Sequence, residues 1–303
     1  MSDYPEFPQF KSLELADREV VHPRLWDYQP QTSELNFTNL FIWRGHYRFE
    51  WSIDKDWLLV IAYSPENNGV WAFPPLGPAP RQESVRRILE WLKEEKRQAE
   101  PRIERADPRL AAELAHASGF SLEPTREQFD YVYGAEDLIN LAGRKYHAKR
   151  NHLNKFKRAY QFTYQPLDER HLRACCDLTD HWCIFKRCDE DLNLMGEWEA
   201  IAEALSNFAA LHLQGGVILV DGKVEAFTMG EKLNQDTAVV HLEKANPEIR
   251  ELYAVINQQF CQHAWSQLSF INREQDLGEE GLRRAKLSYQ PHHLLEKFRI
   301  RLT

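Results

Sequence analysis

Nothing in this sequence of 303 residues stays apolar for long enough to cross a bilayer. The longest apolar run, Trp57 to Tyr63, falls far short of the roughly 20 residues that a spanning helix needs. The N-terminus, Met1 to Phe10, has prolines at Pro5 and Pro8 and no apolar core, so it does not read as an export signal. Cysteine is scarce and odd in number, five in the whole chain, which suggests reduced thiols rather than a disulfide framework. These absences point to the cytoplasm. The sequence also lacks a GxxxxGK phosphate loop, a GxSxG elbow, an HExxH pair and a GxGxxG turn. That excludes the usual ATPase, serine hydrolase, zinc protease and Rossmann readings. Cys175, Cys176, Cys183 and Cys188, with His171 and His181, match no common zinc spacing, so no metal site is expected.

What is present suits two ordinary domains. Hydrophobic residues make up 43% of the chain, with nine Trp and sixteen Phe, enough apolar area for two cores. The charged fraction is 28% and mixed in sign, which argues against disorder. A net charge of −8 argues against a general nucleic-acid binder.

Hydrophobic periodicity alternates helices and strands throughout. In the first third, Asp17–Trp26 and Asn36–Trp43 read as helices, and His46–Ile53, Trp57–Tyr63 and Val70–Phe73 as strands. Glu83–Gln98 follows as an amphipathic helix. A boundary is expected near Ser121–Arg126, giving one domain over residues 1–125 and a second over 126–303. The second opens with a strand at Gln128–Tyr133, then helices at Asp137–Tyr160, Asp168–Phe185 and Glu197–Gln214. Strands Val217–Val220 and Lys223–Glu231 meet at Asp221-Gly222, a strong hairpin signal. A strand at Thr237–Lys244, a helix at Ile249–Ser266 and a strand at Ser269–Glu274 complete a mixed-sheet α/β fold of the α+β kind. The similar element order of the two halves leaves a duplication open.

Three features carry candidate chemistry, all in the second half. Residues 144–158 hold seven Lys or Arg and no acid, which leaves the rest of the chain at −15. Tyr146, Leu153, Phe156 and Tyr160 form an apolar stripe, with the cations on the other faces. Such a patch on an anionic body would focus phosphates of RNA, a nucleotide cofactor or an anionic lipid surface. The plainer reading is a solvated helix face balancing acidic neighbours. Next, alternation along Val239–Lys244 places His241 and Glu243 on one strand face, as a general base and its partner or as an amine-recognition pair. An ion pair at a strand end is the bland alternative. Last, an apolar strand runs into Asn272, Arg273, Glu274 and Asp276, a position where open α/β sheets keep their ligands. A well-capped helix start would explain the same residues.

The segments Gly143–Phe156, His241–Lys244 and Ile271–Arg283 resemble a bacterial family related to the C-terminal, cytosolic domain of phosphatidylglycerol lysyltransferase. The resemblance covers nearly the whole chain and implies two tandem GNAT-like acyltransferase domains, as in FemX-type aminoacyltransferases. Relatives of known activity pass an aminoacyl group from a charged tRNA to an amine or hydroxyl. On that resemblance, the strands Thr237–Lys244 and Ser269–Glu274 splay to leave a cleft. Glu243 is then the base or amine-recognition group with His241 beside it, and Tyr289 protonates the leaving group. Asn272, Arg273, Glu274, Asp276 and Lys286 line the substrate site, with Arg273 or Lys286 offsetting negative charge. Arg144, Lys145, Lys149, Arg150, Lys157 and Arg158 grip donor phosphates. The expected donor is an aminoacyl-tRNA, with no fixed cofactor. Two alternatives stand beside it: an acyl-CoA-dependent N-acyltransferase, and a non-catalytic RNA- or tRNA-binding protein on a transferase scaffold. The turn Asn246–Leu252 lacks the glycine that usually cradles a pyrophosphate, which weighs against acyl-CoA. Peripheral contact with anionic lipid is a further expectation.

Overall fold

A computed structural model describes residues 4–303 and shows two seven-stranded mixed sheets, each the centre of its own unit. In chain order the first unit contains β1 (Lys11–Ser12), α1 (Arg18–Tyr28), α2 (Phe37–Ile42), α3 (Arg44–Tyr47), β2 (Glu50–Asp54), β3 (Trp57–Tyr63) and β4 (Val70–Ala72). It continues with α4 (Gln82–Glu94), β5 (Ile103–Ala106), α5 (Pro108–Leu114) and β6 (Phe120–Pro124). The second unit is built from β7 (Asp130–Gly134), α6 (Ala135–Asn140), α7 (His147–Ala159), β8 (Phe162–Pro166), α8 (Glu169–Lys186) and α9 (Leu192–Ser206). Then come β9 (Gln214–Val220), β10 (Lys223–Lys232), β11 (Thr237–Ala245), α10 (Leu252–Ala264), β12 (Phe270–Asn272), α11 (Glu280–Leu287) and β13 (His293–Leu295). The last strand, β14 (Phe298–Leu302), returns to the first sheet between β5 and β6. Residues 275–278 and 295–303 therefore belong to the first unit, whose main segment runs to Asp130. A single cut at residue 125 does not describe that division, because alternation reads a strand but not the sheet it joins.

The first sheet runs β1-β2-β3-β4-β5-β14-β6. One face of α4, with Val85, Ile88, Leu89 and Leu92, packs on Leu59, Ile61, Ile103 and Ile300. The chain also buries a charged group here. The Lys297 ammonium is wholly enclosed and lies 2.7 Å from each Glu34 oxygen and 2.6 Å from Asp130. Arg105 sits 3.6 Å from Glu34, over the rings of Tyr47, Trp71 and Phe73. Burial pushes the Glu34 carboxyl up, against the pull of Lys297 and Arg105.

The second sheet runs β13-β7-β12-β11-β10-β9-β8. Asp221 and Gly222 both take positive φ between the paired Val220 and Lys223, as the hairpin signal required. The helix expected over Asp137–Tyr160 is interrupted instead. Leu141 and Gly143 adopt left-handed conformations (φ 47° and 82°) and separate α6 from α7. Tyr146, Leu153 and Phe156 of the expected stripe are buried, while Tyr160 stays at the surface. His46, expected in a strand, lies in α3. Cysteine also needs a correction. A left-handed turn at Arg187 brings Cys183 and Cys188 together in a disulfide, so only Cys175, Cys176 and Cys261 are free thiols.

Candidate active site

The second sheet opens where its only parallel register in the described pairings runs out. β11 and β12 pair over Thr237–Val239 and Phe270–Asn272, and β12 then ends. β11 continues to Ala245, so Val240–Ala245 have no β12 partner and the sheet splays. His241 and Glu243 lie on the unpaired stretch, and Arg273 and Glu274 follow the paired one. The splay therefore falls between the two expected strands.

A bulge changes what faces it. On the other edge of β11, Gly230 pairs with Val240 but Met229 pairs with Leu242, leaving His241 as an extra residue. An extra residue resets the side-chain alternation and falls out of the ladder. Only glycine suits position 230, because a Cβ there would stand 2.2 Å from the Val239 carbonyl oxygen. His241 and Glu243 consequently have separate partners rather than sharing one face. The sequence pattern could not show this, because period-two alternation assumes an unbroken ladder.

His241 is clamped between two carboxylates. Its Nδ1 lies 3.0 Å from Glu274 and its Nε2 3.2 Å from Glu231, and its side chain is almost completely enclosed. Burial alone would lower its pKa, but the two hydrogen-bonded glutamates outweigh it and raise the imidazole to about 9. The two carboxylates thus favour its imidazolium form at neutral pH.

Glu243 belongs to a second cluster. It accepts a 3.0 Å hydrogen bond from Arg273 Nη2 and a weaker one from Asn257 of α10 at 3.4 Å. Burial opposes the Arg273 charge, but Glu243 together with Tyr289, Tyr133 and Cys261 outweighs it and holds the guanidinium protonated. The same guanidinium lies 5.0 Å from the centre of the Tyr289 ring. Lys149 approaches that ring with its ammonium 3.7 Å from the centre. Burial and then Arg273 repulsion pull Lys149 down to about 8. Tyr289 is pushed up to about 12 by burial, partly countered by Arg273. Tyr133 stands edge-on to Tyr289 and donates from its hydroxyl to the Lys286 carbonyl.

The other expected site residues are placed elsewhere. Asn272 is buried and accepts from the Glu274 amide, which shapes the turn after β12. Lys286 donates to the Arg273 carbonyl, tying α11 to that turn. Asp276 belongs to the first unit, where it binds Arg126 at 3.1 Å and the Gly278 amide at 2.9 Å. The basic segment is not one patch. Lys149 points to Tyr289, and Arg150 donates to the carbonyls of Leu141 and Gly143 at the end of α6. Lys145 pairs with Asp137 and Lys155 with Glu251, leaving Arg144, Lys157 and Arg158 as exposed charges. Sequence reasoning missed Glu231, Asn257 and Tyr133. Only Glu231 carried a signal, as the acid ending a strand across the hairpin from β11.

A splayed parallel pair in the second of two mixed sheets agrees with a tandem GNAT-like fold. A tandem GNAT protein from the clavulanic acid biosynthesis pathway superposes with TM-score 0.52 at 9% identity, over 97% of this chain and 98% of that one. The family described as phosphatidylglycerol lysyltransferase, C-terminal, matches residues 27–301, and the chain belongs to that family. A conserved protein of unknown function from Bacteroides thetaiotaomicron VPI-5482 is 35% identical, with TM-score 0.89, covering 97% of this chain and 99% of that one. The C-terminal domain of a protein from Agrobacterium fabrum named as a lysylphosphatidylglycerol synthetase is 13% identical, with TM-score 0.64, covering 95% and 92%. No curated protein matches the chain. Among the described residues, no helix is long and apolar enough to cross a membrane.

Proposed function

We propose that the second unit transfers an aminoacyl group from a charged tRNA to an amine or hydroxyl acceptor, with the chemistry in the β11–β12 splay. The observation that carries this reading is the Arg273–Glu243 pair at the mouth of the splay, beside a bulge that leaves His241 outside the ladder. Attack on an ester carbonyl develops negative charge on oxygen, and preorganised cationic or N–H donors stabilise it. Arg273 supplies that charge, and Glu243 fixes its direction, so Glu243 acts as a positioning residue rather than as the base. Tyr289 shields the cations from water. The Glu231–His241–Glu274 cluster holds two carboxylates against one imidazolium, and that excess negative charge suits an ammonium such as the free amino group of an aminoacyl ester.

An acyl-CoA donor is less well supported. The residue heading α10 is Glu251, with positive φ, and its carboxylate pairs with His152 at 2.5 Å. An acid at a helix N-terminus opposes the diphosphate that such a terminus would otherwise attract. The exposed Arg144, Lys157 and Arg158 suit the phosphates of a larger donor, with binding that weakens as salt rises.

The test offers a panel of charged tRNAs and, separately, acetyl-CoA. Acceptors are water, a peptide amine and phosphatidylglycerol vesicles, and loss of the acyl group is followed over the enzyme-free rate. Accelerated loss from charged tRNA, reduced at least 100-fold by Arg273→Ala with tRNA binding retained, is the expected result. Turnover of acetyl-CoA alone, or of neither donor, would overturn the reading.

A further inference from the structure

We infer that Lys149 is the proton acceptor and donor of the transfer, the group that deprotonates the incoming nucleophile. This deepens the proposed function and rests on it. The basic segment reads as a phosphate-binding surface, yet Lys149 turns away from it and lies on the Tyr289 ring next to Arg273. Among the described residues it makes no ion pair, whereas Glu243 is committed to Arg273 and His241 to two glutamates. The groups facing it come from four places. These are the Tyr289 ring beyond α11, Arg273 after β12, Glu243 on β11 and Glu251 at the head of α10. Burial removes water from the ammonium and Arg273 repels it, and the two more distant carboxylates only partly compensate; the Tyr289 ring face holds the amine in place.

The result is an amine that exists in both forms near neutrality. With its pKa at about 8, about a quarter of Lys149 is neutral at pH 7.5, against about 0.1% for an ordinary lysine. The steps balance without any co-reactant. The nucleophile's nitrogen or oxygen forms a bond to the acyl carbon as its proton moves to the Lys149 amine. The bond from that carbon to the ribose oxygen breaks, and the ribose oxygen takes the proton back from the Lys149 ammonium. Arg273 stays charged throughout and carries the developing oxyanion. A lysine held as a cation for phosphate contact would need open water around it and the phosphate itself as counter-charge, not a dehydrated place beside an arginine.

Two measurements test this. Competitive labelling of all lysines with acetic anhydride, read by mass spectrometry from pH 6 to 11, should show Lys149 half-reactive near pH 8. Half-reaction near pH 10 would overturn the assignment. The second is the charged-tRNA transfer assay across pH, with Lys149→Arg and Lys149→Gln checked for unchanged melting temperature. The wild-type rate should rise with pH and level off above about 8. Both variants should lose about 100-fold or more in kcat at pH 8, and Lys149→Arg should lose the inflection, because a guanidinium stays protonated. A variant that raises KM or weakens tRNA binding but keeps kcat and the wild-type pH profile would make Lys149 a phosphate contact and overturn the proposal alone. A wild type inactive with every charged tRNA removes the transferase reading, and Lys149's role falls with it.

Discussion

Replacing Lys297 by Met should be among the most damaging single changes in the first unit. The ammonium is completely buried and shared between Glu34 and Asp130, with three contacts of 2.6–2.7 Å. Removing one partner of a buried ion pair typically costs about 3–5 kcal/mol, because the remaining charge is left uncompensated. Here two carboxylates are left, with Arg105 at 3.6 Å from Glu34, so the upper part of that range applies. At about 3 °C per kcal/mol for a unit of this size, the first-unit transition should fall by roughly 10–15 °C. Calorimetry at pH 5 and pH 8 would add a sign. Without the ammonium, one carboxylate must take up a proton on folding, so the variant binds more protons folded than unfolded. Its stability should then decline as pH rises, by about 1.4 kcal/mol per unit for one proton, until that carboxylate ionises in the folded state. The deficit against wild type is thus larger at pH 8. The triple variant Lys297→Met, Glu34→Gln, Asp130→Asn should recover part of the loss, because no charge is stranded. A single variant within about 1 kcal/mol of wild type at both pH values would refute the argument.

Two further outcomes are expected. Gly230→Ala should lower the urea midpoint of the second unit by the equivalent of about 1–3 kcal/mol, since its Cβ and the Val239 carbonyl cannot both keep their places; an unchanged midpoint would show that the bulge does not depend on glycine. His241, raised to about 9 from an unfolded value near 6.5, should contribute stability that is complete below pH 6.5 and is lost as pH climbs through 9. His241→Gln should flatten that part of the stability profile, and a variant with the wild-type slope would assign the slope to other groups.

How much was legible in the sequence differs between backbone and site. The order of strands and helices in the second unit followed from alternation and from turn chemistry such as Asp221-Gly222, because both act over a few residues. The splay was also anticipated, with His241, Glu243, Asn272 and Glu274 expected to line it. What could not be read were events that cross the sheet. The bulge at His241 depends on register with β10, and the commitment of Arg150 to the α6 carbonyls depends on a chain reversal at Gly143. Net charge counted the lysines of residues 144–158 equally, whereas burial distinguishes Lys149 from Lys157. The final strand posed the same difficulty on a larger scale, since nothing in Phe298–Leu302 says which sheet it will complete.

The two units, taken separately, carry related arrangements with opposite consequences. In the first, β4 and β5 are parallel and pair at Ala72 and Ile103, and Arg105 follows two residues later. In the second, Ala238 pairs with Ile271, and Arg273 follows at the same interval. Each arginine meets a glutamate and lies against aromatic rings: Glu34 with Tyr47, Trp71 and Phe73 for one, Glu243 with Tyr289 and Tyr133 for the other. This correspondence supports descent of both units from one duplicated ancestor, which element order alone left open. The difference lies in the second cation. In the first unit it is Lys297, sealed between two acids and bound to stay charged. In the second it is Lys149, with no acid in contact among the described residues and a ring beneath it. A lysine saturated by carboxylates can only hold a fold together. One that is dehydrated and repelled by a neighbouring arginine can exchange a proton, and this physical difference is why the chemistry is assigned to the second splay.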